Sequence, residues 1–481
     1  MNYLIGIDVG TSATKTVLFD ENGQIKGSVS CEYPLYQPEN GWAEQKAEDW
    51  RDAVLKTLKE VMELSGVPAE EVKGIGISGQ MHGLVMLDEQ GEVLRPSIIW
   101  CDQRTGEEVE DMLRIMPKER WIQITANPPL TGWTAAKILW VRKHEPEIYA
   151  RCRHILLPKD YIRYILTGVF ATEVSDASGM QLLDVPGRCW SDEVLEKLEI
   201  PKEWLGTVYE SCQVTGTLLP EIAEQTGLTT EVKVVGGAGD NAAAAVGTGV
   251  VRDGSAFTTI GTSGVVFAHS SKVTIDPKGR VHTCCCAVPG AWHVMGVTQG
   301  AGLSLKWFKD QFCQDYVAEA KEQGVDVYDL INRDIEKIPV GSDRLLYLPY
   351  LMGERTPHLD PDCRGVFFGL SAIHTKAHLL RAVMEGVSYS LADCNEILKE
   401  MGVDVDQMMA CGGGGKSPIW RQMLSDLYQC QVKTVYQSEG PALGVAILAG
   451  VGCGIYESVE SACDRLISED RVSQPSAEAG A

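Results

Sequence analysis

The sequence lacks the features that mark nucleic-acid-binding, membrane and disulfide-rich secreted proteins. Its 43 Lys and Arg residues are outnumbered by 66 Asp and Glu residues, and the formal net charge is −23. A surface of that sign repels phosphate backbones and anionic lipids, and no apolar run approaches the roughly 20 residues of a membrane helix. We therefore expect no nucleic-acid and no membrane partner. Any bound anion must be held locally by backbone N–H groups, a few cations or a metal ion.

Cysteine is plentiful, but its spacing fits neither a zinc site nor a disulfide framework. None of the 15 cysteines forms a C-x-x-C pair, and residues 284–286 are three consecutive cysteines. Disulfide frameworks belong to small secreted domains, whereas buried thiols in a reducing cytosol behave as small apolar residues. Residues 1–8 have no basic segment and reach an acid too early for a signal peptide. We therefore predict a cytoplasmic protein.

A short unit of sequence occurs twice. Near the start of each half of the chain, a strand-like run is followed by a Gly-Thr-Ser turn and a second strand-like run. The turn glycines, Gly10 and Gly261, are 251 positions apart. Such repetition indicates duplicated architecture, and a content of 44% apolar and 23% charged residues is that of a globular protein. We predict two similar α/β domains, 1–248 and 249–467, followed by a flexible polar tail at 468–481.

Apolar periodicity predicts the main elements. Spacings of three and four residues predict a helix whose buried stripe comprises Trp50, Val54, Leu58, Val61 and Leu64. Apolar and β-branched runs predict strands at 3–8, 14–19, 72–78, 84–87, 255–260 and 265–268. Helices in the second domain are predicted at 377–400 and after Pro418.

Two glycine patterns do not fit the nucleotide motifs they suggest. Residues 74–79 match G-x-G-x-x-G, but they lie inside a predicted strand that is followed by another strand, whereas the dinucleotide motif must open a helix. Residues 412–417 suggest a P-loop, but the required glycine at position 410 is Ala410. A P-loop NTPase is therefore the weaker interpretation.

The turns at Gly10 and Gly261 can hold phosphate. Glycine allows close approach of the backbone to a ligand, the hydroxyls of Thr11, Ser12 and Thr262 are donors, and successive N–H groups form an anion nest. Two such hairpins facing each other could hold a polyphosphate from both sides. Each turn alone is equally compatible with an ordinary hairpin.

Asp8 distinguishes the first turn from the second, since Thr259 occupies the matching position. A carboxylate beside bound phosphates needs a cation between them, and Mg²⁺ is the usual one. The alternative is an aspartate that caps its own turn.

Asp240 and His82 are candidate residues for accepting a proton from a substrate hydroxyl and for binding substrate hydroxyls. Asp240 follows a strand and a glycine-rich turn and opens a helix, where an N-cap would keep it ionised. An ionised carboxylate there can accept a proton from a hydroxyl, and phosphoryl transfer does not require a strongly raised pKa. His82 lies at a strand end, where α/β sites form, and its ring nitrogens can bind hydroxyls.

The third glycine loop ends at Ser417, which is a suitable N-cap before Pro418 at the first helical position. The four glycines at 412–415 have no such structural explanation, because they cost conformational entropy. Close approach of a flat ligand would explain them.

Together these motifs resemble the FGGY family of carbohydrate kinases. The similar segments, in the family's order, are 8–15, 132–144, 261–264, 365–385 and 412–417. The resemblance implies an α/β fold of duplicated actin-like ATPase (ribonuclease H-like) domains with a cleft between them. It also implies ATP and Mg²⁺ as cofactors and a small-molecule sugar substrate, and it allows a homodimer.

The resemblance also implies residue roles. Asp8 would place Mg²⁺, Asp240 would be the general base, and the other contacts would be to phosphates (Thr11, Ser12, Lys15, Thr262), to adenosine (Gly413, Ser417) and to sugar (Met81, His82, Asp240, Asn241). Some relatives have Asn where this chain has Ser417. The loop at 80–83 is similar to that of members that phosphorylate D-xylulose to D-xylulose 5-phosphate, which is the function it implies.

Other functions remain open at this point. Another FGGY sugar or polyol kinase, for ribulose or gluconate, would share most of these motifs. A non-catalytic ATP-binding sugar sensor would need neither Asp8 nor Asp240, and a cytoskeletal relative would leave Met81 and His82 unexplained.

Overall fold

The first half of the chain forms one large sheet with helices on both faces. The computed structural model describes residues 1–436 and 439–479. In the first half the strands are β1 Tyr3–Val9, β2 Ala13–Asp20, β3 Ile25–Glu32, β4 Glu44–Gln45, β5 Val72–Gly79, β6 Val85–Leu87, β7 Ser97–Ile98, β8 His154–Leu156, β9 Ala171–Glu173, β10 Leu183–Asp184, β11 Cys189–Trp190, β12 Thr207–Tyr209, β13 Val214–Thr217, β14 Lys233–Val235 and β15 Ala238–Gly239. The helices are α1 Ala47–Ser65, α2 Gly106–Ile115, α3 Lys118–Thr125, α4 Thr134–His144, α5 Pro146–Arg151, α6 Pro158–Thr167, α7 Val174–Ala177, α8 Asp192–Leu198, α9 Pro220–Thr226 and α10 Asp240–Gly247.

The second half builds a similar sheet. Its strands are β16 Gly254–Ile260, β17 Gly264–Ser270, β18 His282–Cys285, β19 Trp292–Thr298, β20 Leu346–Leu348, β21 Val366–Phe368, β22 Val405–Cys411, β23 Gln431–Val435 and β24 Glu469–Ser473. Its helices are α11 Gly302–Phe312, α12 Gln314–Gln323, α13 Val327–Ile335, α14 Lys376–Glu400, α15 Pro418–Tyr428, α16 Gly440–Gly452 and α17 Val459–Leu466. The six predicted strands and the predicted helix at 377–400 are confirmed within two residues at each end, and α1 and α15 confirm the other two predicted helices.

The two large sheets have the same topology. In the first, the order is β13-β14-β5-β1-β2-β3, with β5 parallel to β1 and β15 parallel to β5. In the second, the order is β18-β19-β17-β16-β22-β23-β24, with β22 parallel to β16 and β23 parallel to β22. Each half therefore contains an antiparallel three-stranded meander extended by parallel strands, which confirms the predicted duplicated actin-like fold.

The repeat extends to the register of the strands. The pairing of β1 with β5 shifts after Tyr3, and the pairing of β16 with β22 shifts after Gly254, 251 positions later. The hairpins differ by one residue, because Val9 pairs with Thr14 whereas Ile260 pairs with Gly264. The second turn is therefore the tighter one.

Alternation along β1 explains how helices cover both faces of the first sheet. Ile5 and Ile7 pack with Trp50 of α1, whereas Leu4 packs with Ala446 of α16. Four residues of the predicted α1 stripe are buried, but Leu64 is 66% exposed at the end of the helix. Helix α16, although it belongs to the second half of the sequence, lies against β1 and β5.

The end of the chain is more ordered in secondary structure than the sequence indicated. The segment predicted as a flexible tail contains β24, which pairs antiparallel with β23.

All 15 cysteines lie among the described residues, and none of them is in a disulfide. In residues 1–436 and 439–479, no helix is long and apolar enough to cross a membrane.

Candidate active site

The candidate catalytic residues lie at one edge of the first sheet. Strands β1, β5 and β15 are parallel, with Asp8 opposite Ser78 and Gly239 opposite Gly79. The carboxyl ends of the three strands therefore meet at the same edge, where ligands bind in open α/β sheets. This register brings together Asp8, the loop at 80–83 that follows Gly79, and Asp240, which follows Gly239.

Asp240 is held at the first position of α10, next to a second carboxylate. Its Oδ1 accepts hydrogen bonds from Asn241 N, at 2.7 Å, and from Asn241 Nδ2, at 2.9 Å. Burial, followed by the nearby charge of Asp8, raises the pKa of Asp240 to about 6. The N-cap position is occupied by Gly239 instead, so the expected capping role of Asp240 is wrong. At neutral pH the carboxyl is still mainly ionised.

Asp8 carries an unsatisfied acceptor. Its Oδ1 is buried without a hydrogen-bond partner among the described residues, and burial raises the pKa of the carboxyl. A buried carboxylate oxygen without a donor, facing a second carboxylate, is suited to a cation. Among residues 1–436 and 439–479, no cluster of three or more His, Cys, Asp or Glu side chains could hold a metal ion. An ion at Asp8 would therefore take most of its ligands from phosphates and water.

Lys15 lies beside Asp8, as its partner in the β1–β2 ladder. Its Nζ is 2.5 Å from Glu439 Oε2, just before α16. In the second hairpin the corresponding position is Val265. Lys15 is therefore a cation that belongs to the first turn alone, and an acid from the second half of the chain holds it.

Side chains from neighbouring segments donate hydrogen bonds to the carbonyls of the first turn. Gly10 O accepts from Tyr33 Oη at 2.5 Å and from Gln80 Nε2 at 3.3 Å, and Thr11 O accepts from Gln45 Nε2 at 2.7 Å. A trans peptide places its N–H opposite its C=O. The N–H groups of Thr11 and Ser12 therefore point away from these supports, as an anion nest requires.

The second turn is supported by a helix start. Gly302 N donates to Gly261 O at 2.7 Å, and Leu303 N donates to Thr262 O at 3.2 Å, so the first amides of α11 bind the carbonyls of the turn. Gly261 and Thr262 are exposed. Both turns thus have their carbonyls engaged, the first by side chains and the second by backbone.

A cavity of roughly 570 Å³ adjoins the second turn. It brings together three of the predicted nucleotide residues, Thr262, Gly413 and Ser417. Its walls also include Lys306, Tyr328, Asn332 and Trp420. Ser417 caps α15, as predicted, by accepting from Trp420 N, and it donates to Asn332 Oδ1 at 3.0 Å.

Close packing within the protein explains three of the four glycines at 412–415, and only Gly413 lacks such an explanation. Gly412 has φ +76° and lies close to Ile260, and a Cβ on Gly414 would be 2.5 Å from the Ile260 side chain. A Cβ on Gly415 would be 3.1 Å from the Ala410 backbone, whereas one on Gly413 would meet nothing within 4 Å. The expectation that all four lack a structural explanation is wrong. Gly413, which lines the cavity, is the position where a ligand can explain the glycine.

His82 is fixed in conformation and in protonation. Its φ is +67°, and its carbonyl accepts from Lys137 Nζ at 2.7 Å and Thr134 Oγ1 at 3.1 Å. Its Nδ1 is 2.8 Å from Gly179 O, and its ring stacks on Trp133 at 4.6 Å. A carbonyl can only accept, so Nδ1 carries the proton. Burial lowers the pKa of His82 to about 3, which leaves Nε2 as an acceptor at neutral pH.

Met81, in the loop at 80–83, packs against the loop that leads to Asp240. A Cβ on Gly239 would be 3.0 Å from Met81 Sδ, so the side chain packs on the residue that precedes Asp240. Met81, His82, Asp240 and Asn241 therefore form one neighbourhood.

The predicted site residues fall into two groups. The first group lies on the strands of the first sheet or in the segments that directly follow them, and it comprises Asp8, Thr11, Ser12, Lys15, Met81, His82, Asp240 and Asn241. The second group, Thr262, Gly413 and Ser417, lies around the cavity beside the second turn. Sequence reasoning missed Trp133, which stacks on His82, and Gln45 and Tyr33, which support the first turn. Trp133 follows Gly132 inside a segment that already resembled the family.

Comparison with known proteins gives consistent matches. Residues 3–247 match the family model of the N-terminal domain of FGGY carbohydrate kinases, and residues 256–453 match that of the C-terminal domain. The chain is 40% identical to a xylulose kinase of Bacillus subtilis over 99% of this chain and 94% of the relative. It is 32% identical to a gluconokinase of B. subtilis over 98% of this chain and 91% of the relative. A ligand-bound xylulose kinase structure from Lactobacillus acidophilus, 28% identical, superposes with a TM-score of 0.92 and covers 100% of this chain and 95% of the other.

Proposed function

Because this chain belongs to the FGGY family of carbohydrate kinases, we propose that it transfers the γ-phosphoryl group of ATP to the 5-hydroxyl of D-xylulose. The observation that carries the proposal is the neighbourhood of Asp240, Met81 and His82 at the sheet edge beside Asp8. In this neighbourhood, next to the first phosphate turn, Asp240 can accept a proton, the His82 ring can bind a hydroxyl, and the Asp8 carboxylate can bind a metal ion.

Asp240 acts as the general base. The sugar oxygen attacks the γ-phosphorus, the bond from that phosphorus to the bridging oxygen of ADP breaks, and the hydroxyl proton passes to the Asp240 carboxylate. A base whose pKa is about 6 is ionised at pH 7 and still basic enough to receive the proton. Asn241 supports the orientation of the carboxylate by donating to it from both backbone and side chain.

Mg²⁺ fits the Oδ1 of Asp8, which is buried and has no hydrogen-bond partner among the residues that the structure describes. When bound, the ion would offset the negative charge of the phosphates and of the two carboxylates. Thr11 and Ser12 bind phosphate oxygens through the first turn, and Thr262 does so through the second. Gly413 and Ser417 lie in the cavity that accommodates the adenosine.

His82 favours a hydroxyl partner. With Nδ1–H donated to Gly179 O, the remaining nitrogen accepts a hydrogen bond, which a sugar hydroxyl supplies and a carboxylate does not. Gluconate, the second candidate, is supported by the 32% identity to a gluconokinase, but its carboxylate would have to avoid this nitrogen.

The substrate is tested by measuring ADP release with D-xylulose, D-ribulose, D-gluconate and glycerol. We expect kcat/KM for D-xylulose to exceed that for the others by at least about tenfold. A higher value for gluconate would replace the proposed substrate, and no release with any of them would favour a sensor.

The base is tested by Asp240→Asn. This isosteric change removes the proton acceptor, so we expect kcat to fall by about 10²- to 10⁴-fold while ATP still binds. Asp192→Asn is a matched control, since Asp192 is also the first residue of a helix but is exposed and pairs with Lys202. Unchanged turnover in Asp240→Asn would exclude the role of base.

A cytoplasmic location and a homodimer remain part of the proposal. The thiols at 284–286 are buried as small apolar residues, which fits a reducing compartment. Sedimentation of the purified chain measures the oligomeric state.

A further inference from the structure

One short segment contacts both parts of the proposed sugar site. Gly239 N, immediately before Asp240, donates to Ser175 Oγ at 3.1 Å. Four residues after Ser175, Gly179 O accepts the proton of His82 Nδ1 at 2.8 Å. The segment that includes α7 therefore lies behind both the base and the sugar-binding ring.

The direction of the Ser175 hydroxyl is determined by its partners. Its Oγ lies 2.8 Å from Glu173 Oε1, to which it donates, and a hydroxyl has one proton to give. Its lone pairs remain for the amide of Gly239. Ser175 is therefore an oriented acceptor, with no freedom to turn toward another group.

Glu173 is itself immobilised in the interior. Its carboxylate also accepts from Ser175 N at 2.8 Å, from Asp176 N at 2.9 Å and from Ser211 Oγ at 2.8 Å. Lys159 Nζ is 3.3 Å away, and both side chains are fully buried. A charged group with so many partners is costly to displace, so it forms a rigid anchor.

The glycine loop that leads to Asp240 is also held by the pairing of β15 with β5 and by Arg163 Nη1, which donates to Gly236 O at 2.8 Å. Gly237 has φ +74°, and Gly237 N donates to Ser211 O at 2.9 Å. The bond from Gly239 to Ser175 lies one peptide before the base. Loss of that bond would remove the partner of the Gly239 amide at the peptide next to the proton acceptor.

We propose that Ser175 is a positioning residue for the reaction, which holds the Gly239 peptide against Glu173 and thereby sets the Asp240 carboxylate in line with the attacking hydroxyl. The proposal rests on the proposed function, because it requires Asp240 to be the base. In the part of the chain that the structure describes, Ser175 is hydrogen-bonded to Glu173 and Gly239 and not to His82, so it should affect the reacting geometry more than sugar affinity.

The first test is Ser175→Ala, assayed at saturating ATP with varied D-xylulose. We expect kcat to fall about tenfold while KM for the sugar stays within about twofold, since small misplacements of reacting groups slow the reaction steeply. Ser178→Ala is the matched control. Ser178 is equally buried in the same segment, but its Oγ donates to Val174 O and accepts from Cys285 N. We expect this variant to keep wild-type kcat.

A double-mutant cycle with Asp240→Asn separates positioning from general destabilisation. If Ser175 acts through Asp240, Ser175→Ala causes no further loss of the residual turnover of Asp240→Asn. An additional tenfold loss in that background, or a single-variant kcat within twofold of wild type, would overturn the proposal. Ser175→Thr, which keeps the hydroxyl, should retain kcat within about threefold. If Ser175→Ala is too unstable to assay, Ser175→Cys replaces it, because a thiol is a weak acceptor.

The two proposals fail differently. Full turnover in Asp240→Asn removes the base and the positioning role together. Loss of turnover in Asp240→Asn with normal turnover in both Ser175→Ala and Ser175→Cys removes the positioning role alone.

Discussion

His82 shows how neighbouring groups determine the chemistry of a single side chain. Gly179 O selects the tautomer, Trp133 fixes the plane of the ring, and Lys137 and Thr134 hold the carbonyl of a residue with positive φ. A non-glycine residue in that conformation is held there by its surroundings, and such strain is concentrated at functional sites. The ring is therefore a preorganised acceptor.

We predict that His82 stays neutral, with its proton on Nδ1, from pH 5 to pH 8. Burial disfavours the imidazolium and lowers its pKa to about 3, so the charged form appears only well below that range. Nitrogen NMR of ¹⁵N-histidine-labelled protein measures the tautomer, with His82→Gln to assign the signal. The urea-unfolded chain is the control, in which the same residue should titrate near 6.5. A midpoint between 6 and 7 in the folded protein would contradict the prediction.

At the residue scale, the sequence predicted residue types better than their environments. Asp240 was identified from its position between a glycine turn and a helix, but its raised pKa comes from burial and then from the charge of Asp8, which lies 232 positions away along the chain. Trp133 and Gln45 were missed because their roles come from contacts with His82 and Thr11, which no local pattern reveals.

The glycine loop illustrates what an element requires of its sequence. Three of its glycines allow the loop to pass close to Ile260 and Ala410, whereas a Cβ on Gly413 would meet nothing within 4 Å. Composition alone could not separate these roles, since all four glycines look alike in sequence and differ only in what surrounds them.

We predict opposite effects for two neighbouring substitutions in this loop. Gly413→Ala should leave the free energy of unfolding within about 1 kcal/mol of wild type, because φ is −61° and the new methyl meets no protein atom. It should raise KM for ATP about fivefold or more, equivalent to roughly 1 kcal/mol of lost binding. Urea unfolding and steady-state assays measure the two quantities.

Gly414→Ala is the internal comparison for that prediction. Its methyl would be 2.5 Å from the Ile260 side chain, so we expect a loss of about 1–3 kcal/mol of stability. If Gly413→Ala instead destabilised the protein and left KM for ATP unchanged, the cavity would not be the nucleotide site.

On the scale of the whole molecule, the sequence predicted the duplication from the repeated Gly-Thr-Ser turn and its flanking strands, but it did not predict how the two halves are connected. The sequence places a boundary near residue 248, whereas α16, at Gly440–Gly452, lies on the first sheet. The glycines beneath it make this possible. A Cβ on Gly6 would be 1.9 Å from Ala442 O, and one on Gly76 would be 1.9 Å from Val445 O. Contacts so distant in sequence leave no periodic signal in the strands themselves.

The position of α16 makes the first sheet dependent on the second half of the chain. Residues 1–248 alone would expose the face that carries Leu4 and Phe19, which α16 covers with Ala446 and Leu448. Each large apolar side chain that returns to water costs about 1.5–3 kcal/mol, against a total stability of only about 5–15 kcal/mol for a typical protein. We therefore predict that residues 1–248 do not fold cooperatively alone, although the family model ends at residue 247.

Near-ultraviolet circular dichroism during heating measures this dependence. We expect the fragment 1–248 to lack a cooperative transition and the full chain to show a single one, since the two halves share the layer formed by α10 and α16. Adding residues 249–481 as a separate chain should restore the transition by supplying α16. Gly76→Ala in the full chain should lower its midpoint, because the methyl would displace the helix at Val445. A fragment that melts cooperatively at the midpoint of the full chain would show instead that α16 only covers a sheet that is already stable.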